Sequence, residues 1–158
     1  MSKNLYIMVG APASGKSYWL EENAKSPLIV SRDKIRFSWL KEGEDYFEHE
    51  DEVFEEYIAT IQEYLWLDVE ELHVYADATQ INAISRYKLL SNVELDDVDV
   101  HVIYINSSEA QCIVNNLKRE GLEHTPEEVI HDFFKRLNPP SFDEYEYKSI
   151  IEVKYNDR

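Results

Sequence analysis

Five consecutive apolar residues, Leu5 to Val9, run straight into Gly10-Ala11-Pro12-Ala13-Ser14-Gly15-Lys16-Ser17, and Lys16 to Ala24 then has helical composition. An apolar run without polar interruption suits a central parallel strand covered on both faces. Gly, four free positions, Gly, Lys and Ser between such a strand and a helix form a loop that cradles phosphate. Gly10 and Gly15 let the backbone approach phosphate oxygens with no Cβ in the way, so that successive N–H groups converge as an anion nest. The helix opening behind the loop adds its positive end. Lys16 is placed to reach the β and γ phosphates, and Ser17 to set its hydroxyl on Mg²⁺, a cation that needs few protein ligands. Residues 10 to 17 therefore predict binding of a nucleoside triphosphate, ATP with Mg²⁺.

The rest of the chain repeats the alternation. Ser26-Pro27 breaks the first helix before Leu28-Ile29-Val30, a second short strand, and Asp33 to Lys41 then reads as helix. Phe54, Ile58, Ile61, Leu65, Val69 and Leu72 recur at three- and four-residue spacing, which predicts one long helix with its acids facing solvent. Strands follow at His73 to Ala76, Val100 to Ile105 and Ser149 to Tyr155, with helices at Asn82 to Ser91 and Ser107 to Glu120. A last helix starts at Thr125-Pro126-Glu127-Glu128, where Thr125 is suited to cap and Pro126 to the first turn. It ends before Asn138-Pro139-Pro140, and Asn138 to Tyr147 is the one long loop. The expectation is an α/β fold: a three-layer phosphate-loop NTPase domain over residues 1–158, with a parallel sheet of about five strands and helices on both faces.

Composition narrows the function. The formal charge of −16 argues against a long footprint on duplex nucleic acid, because phosphate backbones are bound by basic surface. The charge is uneven, however: residues 1 to 41 carry seven Lys/Arg and three acids, whereas residues 42 to 72 carry thirteen acids and no Lys/Arg. A local basic region around the loop remains compatible with it. No stretch is long and apolar enough to span a bilayer, and the single Cys112 has no internal disulfide partner, so a cytoplasmic protein without membrane association is expected. Cys112 reads as a small core residue. Tyr46, Tyr57 and Tyr64 read as half-buried packing residues, and the histidines show no metal-ligand spacing.

The chain has neither the Asn-Lys-x-Asp nor the Asp-x-x-Gly of a GTP switch. Its size favours a kinase, which needs a base for an acceptor hydroxyl and cations for the transferring phosphoryl group. Candidates lie at strand ends, where open parallel sheets bind ligands. Asp33 and Arg36 follow the second strand three residues apart, so a helix would turn both toward one site. Asp77-Ala78-Thr79-Gln80 follows the third strand, and Lys118-Arg119 closes the helix after the fourth.

In this order of parts the chain resembles the polynucleotide 5′-kinase domains of phage and bacterial end-healing enzymes, within the adenylate-kinase-like branch of phosphate-loop folds. The resemblance rests on the loop, Arg32-Asp33-x-x-Arg36, Asp77-Ala-Thr, Asn116-x-x-Arg119 and the closing Pro-rich loop and strand. It implies Asp33 as general base, Arg36 gripping the acceptor's own phosphate, Asp77 organising the acceptor side, and Arg119 as a lid cation over the ATP phosphates. The implied acceptor is a 5′-hydroxyl polynucleotide end. A nucleoside or other small hydroxyl compound fits the acidity as well, and a non-catalytic ATP-binding module is a third reading. The family's usual Asn after Asp-Ala-Thr is Gln80 here, and the lid is short of basic residues.

Overall fold

The computed structural model describes residues 2–155. Its sheet has five parallel strands in the order β2-β3-β1-β4-β5. They are β1 (Ser2–Val9), β2 (Ile29–Ser31), β3 (Glu71–Asp77), β4 (Val98–Ile105) and β5 (Ser149–Val153). The helices are α1 (Lys16–Asn23), α2 (Arg32–Trp39), α3 (Glu50–Leu65), α4 (Ala83–Leu90), α5 (Glu109–Leu117) and α6 (Glu127–Arg136). This is the α/β phosphate-loop architecture that the alternation of elements predicts. β1 lies at the centre, with Ser2 to Ile7 opposite Glu71 to Ala76 on one side and Lys3 to Val9 opposite Val98 to Tyr104 on the other. That placement explains why Leu5 to Val9 has no polar interruption, since both faces of the strand are buried.

Leu5, Ile7 and Val9 face one layer, where Tyr57, Ile61 and Leu65 of α3 and Leu89 of α4 cover them. Tyr6 and Met8 face the other, against Leu20 and Trp19 of α1. The parallel order brings the carboxyl ends of β1, β2, β3 and β4 to one edge of the sheet, and Gly10 to Ser17, Asp33, Arg36 and Asp77 stand at or after a strand end there, whereas Arg119 follows α5.

Three local expectations are corrected. The long helix does not reach Leu72: α3 stops at Leu65, Val69 is exposed, and Leu72 is an inward residue of β3. Val69 and Leu72 continue the helical spacing, but pairing of β3 with β1 claims the segment, and Lys3 Nζ caps the helix end by donating to Leu65 O at 2.7 Å. The helix after β4 spans Glu109–Leu117 rather than Ser107 to Glu120, which leaves Arg119 beyond its last turn. Thr125 does not cap α6 with its side chain. Its N–H and carbonyl are both held by the buried Asn116 amide, at 2.9 and 2.7 Å, and Pro126 stands at the N-cap.

Candidate active site

Gly10 closes β1 and donates its N–H to Thr79 O, which ties the loop to the segment after β3. A Cβ on Gly10 would lie 2.7 Å from Ser14 Oγ and 3.1 Å from Ile105 O. Gly15 has φ +110°, and a Cβ there would lie 2.9 Å from the Tyr155 ring, so both the backbone angle and the space demand glycine. The loop is braced from the β4–α5 side, where Ser107 Oγ donates to Ser14 O at 2.6 Å and Asn115 Nδ2 to Ala13 O at 3.0 Å. Gly15 caps α1 without a side-chain bond and no acid stands in the first turn, so the leading N–H groups face a ligand unopposed.

Lys16 Nζ folds back onto its own loop, donating to Gly10 O and Ala11 O at 2.9 Å each. Burial pulls its pKa below the ordinary value, opposed by the Asp77 and Asp33 carboxylates. Burial conversely raises the Asp77 carboxyl, opposed by Lys16. A cleft of about 490 Å³ opens over this pair, and Ser17, Asp33, Asp77 and Arg119 all line it. Ser17 is exposed on the cleft beside two carboxylates, an oxygen donor set that fits Mg²⁺ with several retained waters. Arg119 reaches the cleft from beyond α5, one of its N–H groups meeting Glu123 O at 3.4 Å. Lys16, Ser17, Asp33, Asp77 and Arg119, drawn from four separate segments of the chain, are thus brought together.

A second cavity of about 280 Å³ lies on the far side of Asp33, and the two share Pro12 and Asp33 as a common wall. Arg36 stands in this second cavity but is no surface residue. At 7% exposure its guanidinium is forked on Glu50, Nε to Oε2 and Nη2 to Oε1 at 2.8 Å each. Its Nη1 donates to Asp33 and lies 3.4 Å from the Tyr46 hydroxyl, with the Tyr46 and Phe47 rings 4.9 and 5.3 Å from Cζ. Burial pushes the Glu50 carboxyl up, but the hydrogen bonds and charge of Arg36 outweigh this and hold it below its ordinary value of 4.5. Because the folded value is depressed, this contribution to stability is present above the unfolded value and is lost as pH falls through the folded one. The expected result is that Glu50→Gln flattens the acid limb of a plot of thermal midpoint against pH. An unchanged limb would show that the fork contributes nothing there.

A third depression of about 250 Å³ lies on the other side of the loop, walled by Tyr18, Tyr155, Gln111 and Lys118. The two tyrosine rings meet edge to face at 5.7 Å. Sequence reasoning did not single out Tyr18, Gln111, Tyr155 or Glu50 as site residues. Only Tyr18, directly after Ser17, carried a local signal. Cys112 is fully buried, and burial pushes its thiol up to about 11, as suits a core residue.

A family model described as an AAA domain, AAA_33, matches residues 5–140. The chain belongs to that family. Its α/β phosphate-loop fold is shared with three solved structures. A fungal RNA kinase superposes with a TM-score of 0.65 at 12% identity, covering 100% of this chain and 77% of the other. Chaetomium thermophilum Kti12 in complex with ADP-AlF3 gives 0.65 at 14%, covering 98% and 90%. A gluconokinase from Sinorhizobium meliloti gives 0.59 at 16%, covering 99% and 84%. No curated protein sequence matches significantly. Among the described residues of this AAA_33 member, no helix is long and apolar enough to cross a membrane.

Proposed function

We propose that the chain is an ATP-dependent phosphotransferase that moves the γ phosphate of ATP to a 5′-hydroxyl end of a polynucleotide, with Asp33 as general base. The observation that carries this is the shared wall: Asp33 borders both the phosphate-loop cleft and the second cavity. A donor in one and an acceptor in the other meet at its carboxylate. The acceptor oxygen bonds to the γ phosphorus, the β–γ P–O bond breaks, and the hydroxyl proton passes to Asp33. Lys16 exchanges its two loop carbonyls for β and γ phosphate oxygens, and Arg119 closes over the same charge. Ser17 is the residue that would hold Mg²⁺, which neutralises phosphate charge when bound; Asp77, expected on the acceptor side, lines the phosphate-loop cleft instead of the second cavity and would stand beside the ion. The nucleobase of ATP is assigned to the depression walled by Tyr18, Tyr155, Gln111 and Lys118. A cytoplasmic location and a single domain over residues 1–158 fit this reading.

A small-molecule acceptor is the second reading, and one observation favours it. Arg32, Arg36 and Arg136 in the acceptor cavity are matched by Asp33, Glu50 and Asp132, so the lining has no excess positive charge. A non-catalytic module has no comparable support, because a binder needs no second cavity across a carboxylate. The test is γ-labelled ATP and Mg²⁺ with 5′-hydroxyl DNA, 5′-hydroxyl RNA, nucleosides and buffer alone. Labelled oligonucleotide is expected, with a shallow salt dependence that reflects one or two phosphate contacts. Label on nucleosides alone overturns the polynucleotide acceptor, and ATP binding without any transfer overturns the enzyme.

A further inference from the structure

Three of the residues that line the acceptor cavity each carry a buried side-chain atom without a hydrogen-bond partner: Arg32 Nε, the Tyr57 hydroxyl and Gln80 Oε1. Buried polar groups are nearly always paired, so three of the five orphans among the described residues, gathered on the walls of one cavity, call for a common partner. Their chemistry is specific. Gln80 is 6% exposed and its Nε2 is committed to Met8 O at 2.7 Å and Ala76 O at 3.1 Å. Those two carbonyls fix the amide orientation, so Oε1 can only accept. Tyr57 is 1% exposed and offers an O–H, and Arg32 offers an N–H on a cation.

Arg36, the cation the sequence resemblance assigns to the acceptor's phosphate, is already satisfied by Glu50 and Asp33. Arg32 is held more loosely, by one 3.3 Å contact to Glu50 and by the Phe54 and Tyr57 rings at 5.3 and 6.0 Å. We propose that Arg32 Nε and the Tyr57 hydroxyl, rather than Arg36, hold the phosphate next to the hydroxyl being phosphorylated, while Gln80 Oε1 accepts a hydrogen bond from the same nucleotide unit. Arg36 then positions Asp33 and Glu50. This deepens the reading above and rests on it for the identity of the acceptor.

The test needs no turnover. Adenosine 3′-monophosphate and adenosine are titrated calorimetrically into the wild type, Tyr57→Phe and Arg32→Gln. The wild type is expected to bind the phosphate ester at least tenfold more tightly than adenosine, on the order expected for hydrogen bonds to a charged group. Each variant should remove most of that difference and leave adenosine binding unchanged. Tyr57→Phe deletes only a hydroxyl without a partner, so its thermal midpoint should not fall, and loss of binding cannot be ascribed to unfolding. The assignment is overturned if both variants keep the wild-type preference for the ester, if they weaken adenosine equally, or if the wild type shows no preference. An oligonucleotide that is still phosphorylated with unchanged KM by both variants would sink this assignment alone. A wild type that labels no phosphate-bearing acceptor sinks the proposed function instead.

Discussion

Asp33→Asn is expected to lower kcat by about 10²–10⁴-fold, the usual contribution of a positioned base, while ATP affinity is nearly kept. Asn preserves the shape of the carboxylate and can still accept from Arg36, whose Nη1 meets Asp33 now. It cannot take the acceptor's proton. In the proposed reaction ATP would be held by the loop N–H groups, Lys16 and Ser17, and the Lys16 ammonium bonds to Gly10 O and Ala11 O, not to Asp33. Single-turnover rates together with an ATP titration check this. Loss of rate and affinity in equal measure would make Asp33 a structural partner of Arg36 and no base.

The largest expected loss of stability comes from Arg86→Ala. Arg86 is fully buried on α4, with Nε and Nη2 forked on Glu144 at 2.7 and 2.8 Å. Its remaining donors reach Gln80 O at 2.9 Å and Asn138 O at 2.7 Å. One side chain therefore ties the segment after β3, where Gln80 sits at φ 46°, to the loop that leads into β5. Removing it leaves the Glu144 carboxylate with only the Ser141 N–H and the Tyr147 hydroxyl as donors and takes a partner from the Gln80 and Asn138 carbonyls, a loss of about 3–5 kcal/mol by the usual cost of breaking a buried pair. For a chain of this size the thermal midpoint should fall by roughly 10 °C. Burial pushes the Glu144 carboxyl up, but bonds from Arg86 and Tyr147 hold it below its ordinary value. The pair's contribution is therefore present above the unfolded value and lost as pH falls through the folded one, so acid should narrow the gap between variant and wild type. A midpoint within two or three degrees of wild type would show that water or neighbouring groups satisfy these atoms.

The fold was legible where its signals are local. Leu5 to Val9 followed by the loop is contiguous, and Asp33 and Arg36 lie one helical turn apart, so chain order alone placed them. The structure brings Asp33 and Asp77 to one cleft because β2 and β3 are neighbours in the sheet. Illegible were the partners that approach from far along the chain. The Arg36 fork on Glu50 spans 14 residues and the Arg86 fork on Glu144 spans 58. The Tyr155 ring beside Gly15 comes from the far end of the sequence. Helical spacing also misled at Val69 and Leu72, where sheet pairing overrides a pattern that the residues satisfy by coincidence. Arg36 shows the same limit: its spacing from Asp33 and an ion pair with the acidic helix were readable, whereas its burial was not.

The most direct test of the central claim is the distance from Asp33 to the acceptor hydroxyl in a crystal of the protein with a non-hydrolysable ATP analogue, Mg²⁺ and a short 5′-hydroxyl oligonucleotide. The analogue's γ phosphate is expected over Lys16, with the 5′-hydroxyl within about 2.6–3.2 Å of an Asp33 carboxylate oxygen. A terminal hydroxyl that instead lies outside the cavity shared with Asp33, or beside Asp77 alone, would contradict the account.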